Sequence, residues 1–161
     1  YNSIGTTAGE VTTFISLGSS GHGNFNNKVY YQNFYEIDLY KKALNENKFP
    51  IYRGWRFSEN DRIRQDIIKH FRTYDDLDLN SFGKKWNIDF HEYFAKEVDS
   101  LQEFIGDGLV KLTDDQMIMT GLGREFTPRI CEVFDSYAGR DLYDNTLQKV
   151  FQMVPESVIN S

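Results

Sequence analysis

The chain has 161 residues and a net charge of −6, from 18 basic and 24 acidic side chains. This length predicts one domain of ordinary size, or one domain with a piece of another. Apolar residues make up 40% of the chain and aromatic residues 16%, which argues against a disordered protein. The acidic balance argues against binding to nucleic acid or to an anionic membrane surface, and no run of about 18 apolar residues predicts a membrane span.

The single cysteine, Cys131, excludes a disulfide framework and any cysteine-only metal site built by this chain alone. A lone thiol favours a reducing, cytoplasmic setting. The chain begins at Tyr1 and shows no apolar signal segment, so we interpret it as a piece of a longer protein.

The composition changes near residue 28, within the first part of the chain. Of residues 1–27, 17 are Gly, Ser, Thr or Asn, and Val11–Leu17 is the run with strand character. A glycine-rich loop follows, and apolar residues at helical spacing predict a helix over Val29–Asn45. This order predicts half of a βα unit, whose partner strands lie outside the chain. Residues 48–57 are expected to be an ordered connector.

The segment 58–138 shows four helical patterns and one β-hairpin. The predicted elements are a helix starting at Ser58, helices over Leu79–Trp86 and from Asp89 to Ile105, a hairpin over Leu109–Thr120, and a helix carrying Phe126 to Tyr137. This layout resembles a winged-helix domain. We therefore predict an α+β protein with a βα segment and its connector over 1–57, a helical domain over 58–138 and a tail helix within 139–161.

The loop over Gly18–Gly23 is a candidate ligand loop. Loops that follow strands carry the ligand sites of α/β proteins, and glycine lets the backbone approach a ligand closely. The alternative is an ordinary glycine-rich turn in which His22 is a solvated side chain. No pair of histidines has the spacing of metal ligands, so this chain alone predicts no metal site.

Four arginines, Arg53, Arg56, Arg62 and Arg64, fall within twelve residues. Guanidinium groups bind carboxylates in bidentate geometry, so the cluster could hold a polycarboxylate substrate. The alternative is that neighbouring carboxylates neutralise these arginines on the surface.

A winged-helix nucleic-acid reader is disfavoured by charge. Its third helix would enter the major groove, but here that helix carries Glu92, Glu97, Asp99 and Glu103 against Lys96. From the residues alone, the alternative to an enzyme is therefore a non-catalytic winged-helix module that binds a protein partner.

From Ser58-Glu-Asn-Asp-Arg-Ile-Arg onward, the sequence resembles the C-terminal domain of oxygen-independent coproporphyrinogen III oxidase. The resemblance covers roughly residues 14–138 and is colinear. It runs through Tyr31-Gln-Asn33, Arg53-Gly54, Leu77-Asp-Leu, Trp86-Asn-Ile-Asp-Phe, Tyr93-Phe-Ala, Asp107-Gly-Leu-Val, Gly123-Arg124, Ile130-Cys131 and Phe134-Asp-Ser-Tyr137.

The resemblance implies a cytoplasmic radical S-adenosylmethionine enzyme of haem biosynthesis, which converts coproporphyrinogen III to protoporphyrinogen IX by oxidative decarboxylation. In that family a [4Fe-4S] cluster sits on a C-x-x-x-C-x-x-C motif in an incomplete α/β barrel, and a helical domain packs beside the barrel. This chain has no such motif. It is therefore expected to be the C-terminal part, with the last βα unit of the barrel, no catalytic residue, no cluster of its own and no activity alone. Its expected partners are the substrate and the remainder of its own polypeptide.

One family site maps onto the glycine-rich loop. The family has a Gly-x-Ser-x-aliphatic pattern whose aliphatic residue contacts S-adenosylmethionine. The pattern places Gly18, Ser20 and His22 at the cofactor, with histidine where an aliphatic residue is usual. An alignment shifted by one residue would place Gly23 at that position instead.

The resemblance also suggests that Arg53 and Arg56 hold the substrate propionates. Pro128 stands where the family usually has an arginine, and Arg129 is displaced by one position. Because of these departures, two alternatives remain open: the chain belongs to a divergent member of the family, or to a haem-chaperone or haem-degrading relative of the same superfamily.

Overall fold

The computed structural model describes residues 11–139. Of these, residues 11–62 fall in one compact unit and residues 63–138 in another. We call them the sheet unit and the helical unit. The tail helix expected over Leu142–Met153 lies outside the described residues, and the boundaries drawn at 57 and 138 stay predictions.

The sheet unit contains three antiparallel strands and one helix. These are β1 (His22–Phe25), β2 (Val29–Asn33), α1 (Ile37–Asn45) and β3 (Ile51–Arg56), and the long helix α2 (Glu59–Phe71) starts here. The strand order is β1-β2-β3, so β2 is the central strand. A turn at Asn26 and Asn27 joins the first two strands, with φ of 52° and 51°. Asparagine tolerates this left-handed backbone, which hairpin turns of type I′ require.

The prediction of a parallel βα unit is wrong. Val11–Leu17 forms no named strand, and only Phe14 in it makes an isolated antiparallel bridge, to Asn24. The helix expected over Val29–Asn45 begins only at Ile37. The first five residues of that range are instead β2, because their backbone groups pair with strands on both sides.

The connector expected over residues 48–57 contains a strand. Ile51, Tyr52 and Trp55 supply the β-branched and aromatic side chains that favour extended backbone, and β3 pairs with β2 along its length. Among residues 11–139, the strands of this sheet pair only in antiparallel fashion.

The helical unit contains the rest of α2 and a second antiparallel sheet, in the order β4-β6-β5. Its further elements are β4 (Asp76–Asp78), α3 (Leu79–Trp86), α4 (Phe90–Tyr93), α5 (Ala95–Ser100), α6 (Gln102–Gly106), β5 (Val110–Leu112), β6 (Gln116–Met119), a 3-10 turn (Gly123–Phe126) and α7 (Thr127–Val133). The hairpin and the helix Leu79–Trp86 are confirmed. The third predicted helix is divided into α4, α5 and α6, and β4 had no counterpart in the sequence predictions.

Side-chain caps fix the helix starts. At α2 the Ser58 hydroxyl accepts the Asp61 N–H (3.1 Å), and the Asp61 carboxylate accepts the Ser58 N–H (2.8 Å). Asp78 caps α3, and the N–H of Ser81 that it accepts holds the pKa of this carboxyl below its usual value. Asp89 caps α4 by accepting the N–H of Glu92 at 2.8 Å. These caps satisfy N–H groups that a helix leaves unpaired at its start.

The helical unit has a hydrophobic core at whose centre the rings of Phe90, Phe94 and Phe134 lie 5.1–6.4 Å apart. Burial of each large side chain of this kind contributes roughly 1.5–3 kcal/mol. The buried apolar residues are Ile63, Ile67, Phe71, Leu77, Leu79, Phe82, Phe90, Phe94, Leu101, Leu109, Val110, Met117, Met119, Ile130, Cys131 and Phe134. None of the helices formed by the described residues has the length and apolarity that crossing a bilayer requires.

Candidate functional site

The glycine-rich loop has an unusual backbone just before β1. Gly18 has a φ of 101° and Ser20 a φ of 59°. Glycine adopts such values without strain, whereas serine does so at a cost of roughly 1–2 kcal/mol. A side chain at Gly18 would meet nothing within 4 Å, so the backbone conformation alone explains glycine there.

Hydrogen bonds from β2 and α1 hold this loop. The N–H of Ser20 donates to the carbonyl of Phe34 (2.9 Å), and the N–H of Asn33 donates to the carbonyl of Gly21 (2.8 Å). The N–H of Gly18 donates to the hydroxyl oxygen of Tyr40 at 2.9 Å. The backbone N–H groups of Gly18 and Ser20 and the carbonyls of Gly18 and Gly21 are therefore hydrogen-bonded within the chain.

His22 is the first residue of β1 and its side chain is exposed. Its ring stacks on that of Tyr30, with centroids 5.6 Å apart and an interplanar angle of 22°. The hydroxyl of Ser16 donates to the His22 carbonyl. The two rings form a flat surface beside the loop.

Arg53 lies on the same face of the sheet as His22. His22 is paired with Gln32, and Gln32 is paired with Arg53, so the three side chains form one row across three strands. The row spans about 10 Å, since neighbouring strands lie roughly 5 Å apart. The Arg53 Nε donates to the Gln32 Oε1 at 2.8 Å, which fixes the guanidinium beside the glutamine.

Arg56 lies on the opposite face. It is three residues after Arg53 in a strand whose side chains alternate, and its paired residue is Val29. In the helical unit, Arg64 binds Glu97 at 2.7 Å and donates to the carbonyl of Phe134 at 3.2 Å. The structure therefore does not bring Arg53, Arg56 and Arg64 together as one carboxylate site.

Burial raises the pKa of Tyr30, and the positive charge of Arg53 partly opposes that shift. The phenol under the His22 ring is therefore neutral over the physiological pH range. It can stack on a ligand or donate a hydrogen bond, but it is not a base.

The described residues do not fit an iron–sulfur cluster. Among residues 11–139, no group of three His, Cys, Asp or Glu side chains is placed to hold a metal ion. Cys131 is buried in the core, its thiol lies 3.9 Å from the carbonyl of Ile68, and burial raises its pKa, opposed by Arg72. The loop, by contrast, fits contact with the flat or apolar part of a cofactor through the ring surface of His22.

Gly23, the residue that follows His22, is buried. A Cβ at Gly23 would lie 2.1 Å from the ring of Tyr31, which covers that glycine. The side chain exposed next to the loop is therefore that of His22.

Sequence reasoning missed three residues that organise this region: Gln32, Asn33 and Tyr40. Their positions follow no spacing rule, because they act through strand pairing and through hydrogen bonds to residues 12 to 22 positions earlier in the chain. The only available signal was the resemblance at Tyr31-Gln-Asn33.

Comparison with known proteins identifies the family. Residues 57–126 match the family model described as the HemN C-terminal domain. Over this span the chain belongs to that family.

The HemN resemblance extends beyond the family model. The chain is 32% identical to oxygen-independent coproporphyrinogen III oxidase of Salmonella typhimurium over 132 residues, which is 82% of this chain and 28% of that protein. It is 31% identical to the Escherichia coli protein of the same name, again over 82% of this chain and 28% of that protein. The chain thus spans less than a third of the length of these relatives.

A solved structure agrees in fold. The coproporphyrinogen III oxidase HemN from Escherichia coli, described as a radical SAM enzyme, superposes with a TM-score of 0.80 at 29% identity. The match covers 84% of this chain and 31% of the HemN chain. The resemblance inferred from the sequence is confirmed, and so is the mixed helix and sheet architecture.

Proposed function

We propose that this chain is the C-terminal part of an oxygen-independent coproporphyrinogen III oxidase, which decarboxylates two propionates of coproporphyrinogen III to give protoporphyrinogen IX. The single observation that carries the proposal is the match to HemN. The sequences align over 82% of this chain, and the solved HemN structure has the same fold. In this proposal the chain supplies part of the active-site wall and no residue that reacts.

The exposed apolar side chains of the sheet unit support the view that a further part of the protein covers this unit. Of the large apolar residues exposed among residues 11–139, eleven lie in the sheet unit. Isolated exposed apolar residues are ordinary, but such a concentration indicates a surface that binds another surface. In the proposed enzyme the covering surface is the cluster-bearing barrel of the same polypeptide.

The helical unit fits the role of a domain packed beside that barrel. It has its own core, a hairpin and short helices, as a winged-helix-like domain does. Its α4–α6 face is acidic, with Glu92, Glu97, Asp99 and Glu103, which disfavours contact with phosphate groups. Its proposed task is to support the active-site wall.

In the proposed enzyme, Gly18, Ser20 and His22 contact S-adenosylmethionine. Bound to the enzyme, this cofactor supplies the radical that removes hydrogen from a propionate side chain. The chain's own contribution is a rigid loop and the flat His22–Tyr30 surface, against which an aromatic ring can stack.

Arg53 is the better placed of the two proposed propionate ligands. It shares a face with His22, and Gln32 fixes its guanidinium there. Arg56 is on the other face of the sheet, so it would need a second propionate that reaches that side. A guanidinium suits a carboxylate partner through paired N–H donors.

A chimera tests the proposal. The aligned C-terminal part of the Escherichia coli enzyme is replaced by this chain, and anaerobic decarboxylation of coproporphyrinogen III is measured with the purified, cluster-loaded protein. We expect clear activity, because the two folds superpose closely. A soluble, cluster-loaded chimera without decarboxylation contradicts the proposal.

Arginine variants of the same chimera test the substrate contacts. Arg53→Ala is expected to raise KM for coproporphyrinogen III about tenfold or more, because a buried or half-buried charged hydrogen bond is worth roughly 1.5–3 kcal/mol. Lys111→Ala, which removes an exposed charge in the helical unit, is the matched control and should leave KM unchanged. Equal KM values for both variants would remove Arg53 from the substrate site.

A further inference from the structure

Asn33 is the most buried polar residue of the sheet unit, with 3% of its surface exposed. It ends β2, at the point where the pairing with β3 shifts register after Gln32. A polar side chain buried to this degree needs hydrogen-bond partners, and its partners show what it does.

The side chain of Asn33 donates to two carbonyls in the segment before β1. Its Nδ2 donates to the carbonyl of Gly18 (3.0 Å) and to the carbonyl of Ser16 (3.2 Å). Its backbone N–H donates to the carbonyl of Gly21 (2.8 Å). Because both side-chain partners are carbonyl oxygens, which only accept, the amide nitrogen and not the oxygen must face them.

These bonds hold the strained part of the loop. Gly18 and Ser20 both have positive φ, and backbone in this region persists only where the surroundings determine it. Asn33 joins the carbonyls on both sides of these residues, and the next residue, Phe34, accepts the N–H of Ser20. Gly21 packs closely enough that a Cβ there would lie 3.2 Å from the Asn33 amide nitrogen.

We propose that Asn33 is a positioning residue, which sets the shape of the Gly18–Gly21 loop and thereby the place at which Ser20 and His22 meet a ligand. Asn33 itself contacts no ligand in this proposal. The consequence for cofactor binding rests on the function proposed above, whereas the consequence for the loop does not.

Asn33→Asp tests the proposal, because it keeps the size of the side chain and replaces the donating amide by an oxygen. At pH 7 a carboxylate would face two carbonyl oxygens and repel both. Burial and the two carbonyl oxygens disfavour the charged form and so raise the pKa of this carboxyl, and once protonated the acid can donate to one of the carbonyls. We therefore expect the hydrogen-exchange protection factors of the Ser20 and Gly21 amides to fall at least tenfold at pH 7, and to be partly restored near pH 5.

Asn24→Asp is the matched control. Asn24 is also buried in the sheet unit, at 6% exposed, but its Nδ2 donates to Asn27 at 3.1 Å and not to the loop. This variant should leave the loop amides as protected as in the unsubstituted chain. The unsubstituted chain, measured over the same pH range, is the second control and accounts for changes that do not depend on the substitution.

Three results overturn the proposal: unchanged loop protection in Asn33→Asp, equal loss in both variants, or a loss that persists unchanged at pH 5. The amides in the β2–β3 pairs report the intact sheet. If these sheet amides also lose protection in Asn33→Asp, the comparison of Asn33→Ser with Asn33→Ala tests the proposal instead. The serine hydroxyl can donate one hydrogen bond, so its loop protection should exceed that of the alanine variant, and equal loss in the two overturns the proposal.

The same substitution in the chimera separates this inference from the proposed function. We expect Asn33→Asp to weaken binding of S-adenosylmethionine at least fivefold at pH 7. If the loop changes but the affinity does not, Asn33 is a positioning residue and the cofactor contact at Gly18, Ser20 and His22 is wrong. If the loop amides do not change, the inference about Asn33 is wrong whatever the affinity.

Discussion

The two units of this chain are built on different principles. Among the described residues, the helical unit holds sixteen of the buried apolar side chains, and the sheet unit holds one, Ala43. The sheet unit instead has buried asparagines, backbone pairing between three strands and a hydrogen-bonded loop. The comparison indicates that the helical unit is stable through its own core, whereas the sheet unit keeps its shape through polar contacts and leaves its apolar side chains for another surface.

Separating the two units gives the largest expected effect. A fragment of residues 57–139 contains the whole of α2 and the core, so it should fold alone and unfold in one cooperative transition. A fragment of residues 11–57 should show no cooperative transition, because three strands with little buried apolar area do not offset the loss of chain entropy. Circular dichroism during thermal and urea unfolding measures both. Cooperative folding of the shorter fragment would contradict the comparison.

Truncating one phenylalanine in each unit sharpens the difference. Phe94 is fully buried, and its ring lies 5.1 Å from Phe90 and 5.5 Å from Phe134. Phe94→Ala should lower the free energy of unfolding of the chain by about 3–5 kcal/mol. Phe49 is 87% exposed, so Phe49→Ala should change it by less than about 0.5 kcal/mol. Similar losses in urea unfolding would show that the exposed surface is already covered in this chain.

The same contrast explains what the sequence could and could not predict. In the helical unit, apolar residues recur at helical spacing and capping residues precede them, as at Ser58 and Asp89, so local pattern and packing agree. In the sheet unit, Ile37 and Tyr40 have helical spacing and do lie in α1, but the predicted helix also included Val29–Asn33, which pairs with strands on both sides. That pairing is non-local, so the spacing of apolar residues along the chain does not reveal it.

The candidate site was predictable only in part, for the same reason. The glycines and His22 were visible as a loop, and Arg53 as part of a cationic cluster. The register of the three strands places His22, Gln32 and Arg53 on one face of the sheet and Arg56 on the other. This register was not visible in the sequence. The short strand Asp76–Asp78 could not be predicted either, since its two aspartates disfavour a strand and only pairing with β6 makes one.

A single methyl group tests how tightly the helical unit is packed. A Cβ at Gly123 would lie 2.0 Å from the carbonyl oxygen of Leu109, and that oxygen accepts the N–H of Thr120 at 3.0 Å. Gly123→Ala should therefore lower the free energy of unfolding by about 1–3 kcal/mol. At Gly121 a Cβ meets nothing within 4 Å, so Gly121→Ala should be within about 0.5 kcal/mol of the unsubstituted chain. Equal effects in urea unfolding would contradict the close approach at Gly123.

The smallest expected effect is a dependence on alkaline pH that belongs to the helical unit alone. Burial raises the pKa of the Cys131 thiol above its usual value of 9.0, and the charge of Arg72 only partly opposes this. Below pH 9 the thiol is neutral in both states and its burial contributes fully to stability. As the pH rises through 9 toward the higher folded value, the unfolded chain loses its proton first, so unfolding becomes easier.

The unsubstituted chain should consequently lose more stability between pH 8.5 and pH 10 than Cys131→Ala does, and the slope of the difference cannot exceed about 1.4 kcal/mol per pH unit, which is the limit for one ionising thiol. Urea unfolding of both proteins at each pH measures the difference, and subtraction removes the contributions of tyrosines and lysines. The difference should persist in the fragment of residues 57–139, since the core that buries the thiol lies within that unit. If it vanished in the fragment, the burial of Cys131 would depend on the rest of the chain, and the independence of the helical unit would be lost with it.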